Sequence, residues 1–90
     1  MKRDAFQAIA DPTRRKILGI ISDAPSSIHN LAAHFGMSRT AVSKHIKMLR
    51  ECGLIVIRKK GKYRFCEGKL EKLGAVSRWL EQFKSNWTSA

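Results

Sequence analysis

Residues 27–66 read SIHNLAAHFGMSRTAVSKHIKMLRECGLIVIRKKGKYRFC, and the fold is decided within this stretch. Ile28, Leu31, Ala32 and Phe35 fall at the 3, 4 and 7 spacings of one helical face, Ser27 is a suitable cap before them and Gly36 ends the run. After Gly36 and Met37, Ser38 caps a second helix from Arg39 to about Cys52, whose inward face is Val42, Ile46 and Leu49; Gly53 supplies a left-handed stop. Leu54 to Lys59 and Lys62 to Cys66 then read as two antiparallel strands, rich in β-branched and aromatic residues and linked tightly at Lys60-Gly61. Two short helices joined by the interval Phe35 to Ser38, the second followed at once by a basic hairpin, make a helix-turn-helix with a wing.

The flanks extend this unit. Asp4 to Ala10 holds a short apolar piece in which Phe6 and Ile9 lie three apart. Asp11-Pro12 restarts a helix, since Asp is a favoured cap and Pro suits the first helical position. This helix runs to about Ser22, with Ile17, Leu18, Ile20 and Ile21 inward and Thr13, Arg14 and Lys16 wet, until Asp23-Ala24-Pro25-Ser26 breaks it. From Leu70 to Trp87 a last helix carries Leu73, Val76, Leu80, Phe83 and Trp87 as a heptad seam. The fold class is mainly α with a small β-hairpin (α+β): a winged helix-turn-helix of five helices and a two-stranded wing. The expected organisation is a single domain over residues 1–90, with the helix-turn-helix at about 27–52, the wing at about 54–66 and the seam helix at about 70–87.

Length and composition narrow the function. Ninety residues suffice for one modest core, and 43% hydrophobic with 28% charged residues suits a globular domain rather than a disordered one. The apolar runs Ile17 to Ile21 and Leu54 to Ile57 are far below the roughly 20 residues of a spanning helix. The opening MKRDAFQAIADPTRR lacks the apolar core of a secretory signal, so a cytoplasmic location is expected, with Cys52 and Cys66 as free, buried thiols. Net charge is +11, and residues 38–64 hold nine cations against the single acid Glu51. A field so concentrated selects a polyanion.

Double-stranded DNA fits that field best. The outward residues Ser38, Arg39, Thr40, Ser43, Lys44 and Lys47 are polar, small or cationic, the types that bond base edges in the major groove. A second tier for phosphate or wing contact comprises Ser27, His45, Arg58, Lys59, Lys60, Lys62 and Arg64. Val42, Ile46, Leu49, Leu31 and Phe35 position these groups as core and read nothing. His45 borders both faces and reads as a half-buried, hydrogen-bonded histidine before a base contact. One rival is a non-catalytic winged-helix module docking on an acidic protein partner. Another, a membrane-surface domain, is disfavoured because the last helix is nearly charge-balanced. Catalysis has no support: there is no Gly-rich phosphate loop, no paired carboxylates on one face and no nucleophile, histidine and acid constellation.

Ala8 to Leu18 (AIADPTRRKIL), Ser38, Val42 to Leu49 (VSKHIKML), Cys52 to Ile55 (CGLI) and Lys60 to Tyr63 (KGKY) together resemble the ArsR-type winged-helix repressors, along nearly the whole chain. The resemblance implies a homodimer built through the first and last helices, which carry Phe6, Ile9, Leu73, Val76, Leu80, Phe83 and Trp87. It also implies binding to an inverted-repeat operator and repression of transcription. Metal-sensing members resemble one another in a thiolate pair at the third helix or in Asp, His and Glu ligands on the last. Here Ser27 and His29 stand at the third helix, and Leu70 to Trp87 contains neither His nor Asp. The chain is therefore similar to the metal-site-lacking, SdpR-like autorepressor branch, with no cofactor expected and relief of repression through a protein partner.

Overall fold

The structure, a computed structural model, describes residues 4–88. Helix α1 is a short turn, Ala5–Ala8, capped by the Asp4 carboxylate, which accepts from the Gln7 amide at 2.9 Å. Helix α2, Pro12–Asp23, begins at Asp11, whose Oδ2 accepts from the Arg14 amide at 3.0 Å. Strand β1 is Ser26–Ser27, and helix α3 is Ile28–Phe35. Helix α4, Arg39–Glu51, is followed by strands β2, Ile55–Lys60, and β3, Tyr63–Gly68. A 3-10 turn, Leu70–Leu73, leads to α5, Gly74–Glu81, and α6, Lys84–Thr88.

The punctuation acts as the residue types dictate. Ser27 Oγ accepts from the Asn30 amide at 3.0 Å and Ser38 Oγ from the Ala41 amide at 3.1 Å, so each hydroxyl satisfies an amide that its helix would leave orphaned. Gly36 at φ 62° and Gly53 at φ 79° close α3 and α4 in the left-handed region, where a side chain would clash with the backbone. The Leu54 amide then returns to the Leu49 carbonyl at 3.0 Å, which sets the exit of α4 toward the sheet.

Three differences from the sequence expectations have physical causes. The hairpin turn is Gly61-Lys62, one residue later than Lys60-Gly61, with Lys60 opposite Tyr63. A two-residue hairpin needs positive φ at its first central position, and Gly61, at φ 64°, takes it. The wing also gains a third strand: β1 pairs antiparallel with β3, giving the order β1-β3-β2. Two serines are too short a run to show periodicity. Lastly, Leu70 to Trp87 is not one helix. Its first turn is 3-10, in which residues three apart stack, so Leu70 and Leu73 both face the core. Between α5 and α6, the amides of Gln82 and Phe83 bond to carbonyls three residues back, Trp79 and Leu80, and the helix is divided there.

The core joins Ile17, Leu18 and Ile21 of α2, Leu31 and Ala32 of α3, Val42, Ile46 and Leu49 of α4, and Leu54, Ile55 and Cys66 around the sheet. All three inward residues of α4 are essentially inaccessible, so the helix is held rigidly by its apolar stripe. Phe35 is only partly buried against this core. Cys52 and Cys66 are buried and form no disulfide, and burial pushes the Cys66 thiol up to about 11, which suppresses thiolate chemistry there.

Candidate nucleic-acid interface

Because Val42, Ile46 and Leu49 fix one side of α4 in the core, its opposite side is presented outward. Thr40, Ser43, Lys44 and Lys47 are exposed along it, and Ser38 and Arg39 are exposed at the helix start. Ser38 spends its hydroxyl on the helix cap, as does the buried Ser27. Among the described residues no acid pairs with Arg39, Lys44 or Lys47. A cationic helix face with small hydroxyl residues between the cations can enter a groove and bond both bases and phosphates.

Strand alternation sorts the wing cations. Lys59 lies opposite Arg64, and Ile57 opposite Cys66, so Lys59 and Arg64 extend the sheet face that packs on the helices. Arg58 and Lys60 lie on the other face. There Arg58 Nε donates to Glu67 Oε2 at 2.8 Å, so Arg58 is neutralised within the sheet while Lys59, Lys60, Lys62 and Arg64 remain exposed. Lys62 Nζ sits 5.7 Å from the Tyr63 ring centroid, a cation–π distance.

His45 is half-buried, with Nδ1 3.8 Å from Asp11 Oδ2, so it bridges α4 and the start of α2 rather than standing free on the outward face. Burial alone would raise the Asp11 carboxyl, but the hydrogen bond from the Arg14 amide and the nearby His45 and Arg14 charges hold it below its ordinary value. Asp11 thus remains an ionised cap.

Sequence reasoning placed Arg14 in solvent, and the structure corrects this. Arg14 is partly buried; its Nε donates to the Ala8 carbonyl at 2.8 Å and its Nη2 to the Gln7 carbonyl at 3.1 Å, while Arg15 Nη1 donates to the Ile9 carbonyl at 2.8 Å. Two cations of the formal net charge therefore fasten α1 to α2. The available signal was the closeness of the two helices, which leaves the orphan carbonyls of α1 within reach of side chains in the first turn of α2.

The last-helix residues separate into two sets. Ile9, Leu73 and Val76 are partly buried against the protein's own core, whereas Phe6, Trp79, Leu80 and Phe83 are 39 to 47% exposed. Phe6 and Trp79 meet edge to face at 5.8 Å, and Trp79 and Phe83 at 5.1 Å. The side chain of Trp87 lies outside the described residues. Phe6, Trp79, Leu80 and Phe83 thus form one exposed apolar face at α1 and the end of α5.

Among the described residues no three His, Cys, Asp or Glu side chains converge as a metal ion requires, and both thiols are buried. Among the described residues no helix is long and apolar enough to cross a membrane.

Comparison with known proteins agrees with this geometry. Residues 11–56, which span α2 to the start of β2, match the family described as "Bacterial regulatory protein, arsR family". The chain belongs to the ArsR family. Among curated ArsR-type relatives, the transcriptional repressor SdpR of Bacillus subtilis (strain 168) is 30% identical over 80 residues, covering 89% of each chain. The HTH-type transcriptional regulator Rv2034 of Mycobacterium tuberculosis is 36% identical over 86 residues, covering 96% of this chain and 78% of that one. In three dimensions the crystal structure of an ArsR family transcriptional regulator superposes with a TM-score of 0.78 at 40% identity, covering 94% of this chain and 93% of the other. The mostly helical fold with an antiparallel wing is thus that of ArsR-family transcriptional regulators.

Proposed function

We propose that this ArsR-family chain acts as a dimeric transcriptional repressor or autorepressor, its residues 1–90 working as one winged helix-turn-helix domain that reads an inverted-repeat operator in the cytoplasm. The observation that carries the reading is the start and outward face of α4, where Arg39, Thr40, Ser43, Lys44 and Lys47 are exposed and, among the described residues, unpaired by any acid. The exposed aromatic face of α1 and α5 supports a two-fold dimer, which would set two copies of α4 about one helical turn apart, roughly 34 Å. Release from DNA is assigned to a protein partner on the strength of the resemblance to the SdpR-like autorepressor branch. Selection of binding sites from random duplex DNA tests the proposal. Enrichment of a two-fold repeat supports it, and absence of any enriched sequence favours the docking of an acidic protein instead.

Reading and positioning are separable. Ser43→Ala and Lys44→Ala are expected to relax base preference at particular operator positions, by about 1 to 3 kcal/mol where a good base contact is lost. Competition binding against single-base operator variants checks this, and a loss shared equally by all variants would move both residues to the phosphate class.

The wing is expected to act through charge. Lys59→Ala with Lys62→Ala should weaken binding to all duplexes alike and flatten the dependence of log affinity on log salt, by about 0.9 for each phosphate contact removed. Titrations across salt measure this directly, and a parent slope near zero would refute the electrostatic account.

A further inference from the structure

A cleft of about 310 Å³ opens where three elements meet: Ser27 and His29 from the start of α3, Arg39 from the start of α4, and Lys62, Tyr63 and Arg64 from the wing. Its formation follows from strand register. Ser27 lies opposite Phe65 in the antiparallel β1–β3 pair, so the chain enters α3 beside Arg64 and Tyr63. Among the described residues no carboxylate lines the cleft, although three cations do. The contrast with other clefts is direct: one between α1 and α5 has Asp4 and Glu71 beside Lys72 and Arg78, and one on the outer wing face contains the paired Arg58 and Glu67.

We infer that this cleft is a clamp for a single backbone phosphate of the bound duplex, and that Arg39 belongs to it rather than to the base-reading set. The inference rests on the DNA-binding reading proposed above. Arginine matches phosphate oxygens with paired N–H donors, and the lysine and tyrosine hydroxyl can supply further donors. A volume of about 310 Å³ is ample for one phosphate and its adjoining sugar oxygens. The orphan amides at the start of α3 add a partial positive charge at the same place. A phosphate seated here would touch the helix-turn-helix and the wing at once, so it would lock the wing against the duplex in one register.

The experiment uses the full chain and a duplex enriched by binding-site selection. Methylphosphonate, which removes the charge of one phosphate, is placed at each backbone position of a half-site in turn. The parent protein should lose roughly tenfold in affinity at one position flanking the α4 contact, as expected for loss of charge-assisted hydrogen bonds. Arg39→Ala and Arg64→Ala should each weaken binding to the unmodified duplex and become insensitive to methylphosphonate at that same position, with base preference unchanged. Both side chains are exposed and outside the core, and an unchanged melting temperature confirms that the variants are folded. Equal sensitivity of parent and variants at every position, or a relaxed base preference in Arg39→Ala, overturns the inference while leaving the DNA-binding reading intact. Failure of the parent to bind any selected duplex would instead overturn the reading on which it rests.

Discussion

Leu80→Asp is expected to yield folded monomers that have lost tight operator binding. Leu80 lies on α5 beside Trp79, and both are exposed by somewhat under half in the single chain, as are Phe6 and Phe83. The edge-to-face contacts of Phe6 with Trp79 and of Trp79 with Phe83 hold these rings as one apolar surface. In a two-fold dimer built on this face, an aspartate would be buried without a partner, and an isolated carboxylate in apolar surroundings is strongly disfavoured. The fold should survive, because Leu80 is outside the buried core. Loss of the dimer divides one two-site interaction into two independent weak ones, so operator affinity should fall about a hundredfold or more. Sedimentation and operator titration of the same sample check both halves of the expectation. An intact dimer would remove this face of α5 from the proposed interface.

The parts of the fold legible in the sequence are those in which one residue type has one local consequence. Ser27, Ser38 and Asp11 cap because their side-chain oxygens reach the amide three residues on; Gly36, Gly53 and Gly61 turn because their φ angles are positive. The stripe Val42, Ile46 and Leu49 is equally local, since helical spacing alone places it on one side, and the outward face of α4 follows from it. What the sequence concealed depends on partners distant along the chain. β1 exists only because β3 offers Phe65 and Cys66 to Ser27 and Ser26. The seam of Leu73, Val76, Leu80 and Phe83 looks continuous as a string of letters, yet Leu73 in the 3-10 turn and Val76 in α5 are packed against the core and only Leu80 and Phe83 face outward. Arg58 and Lys59 are adjacent and identical in charge, but strand alternation gives Arg58 to Glu67 and leaves Lys59 on the face that continues toward the helices. Net charge counts both alike, whereas a DNA phosphate would meet them differently.

Arg14 shows the same lesson with the larger functional consequence. Helix α1 has four residues, far too few to be helical by itself in water, so its place depends on tertiary contacts. Those contacts are the burial of Ala5 and Ala8 and the Arg14 guanidinium, which reaches the Ala8 and Gln7 carbonyls at 2.8 and 3.1 Å. Arg14→Ala should cost about 2 kcal/mol, since two hydrogen bonds from a charged donor are lost and their carbonyl partners are left at a partly buried helix end. The site of the damage is α1, and Phe6 on α1 rests against Trp79. Hydrogen exchange should therefore accelerate in α1 while the amides of α4 stay protected, and the dimer should dissociate at roughly tenfold higher concentration. Operator affinity should fall in step with the dimer, with an unchanged salt slope once the protein is concentrated enough to be dimeric, because Arg14 is committed to carbonyls rather than phosphates. Arg14→Lys, which keeps the charge but loses the forked donor geometry, should recover only part of the loss. A reduced salt slope in the fully dimeric Arg14→Ala protein would place Arg14 on the DNA and separate the start of α2 from the dimer face.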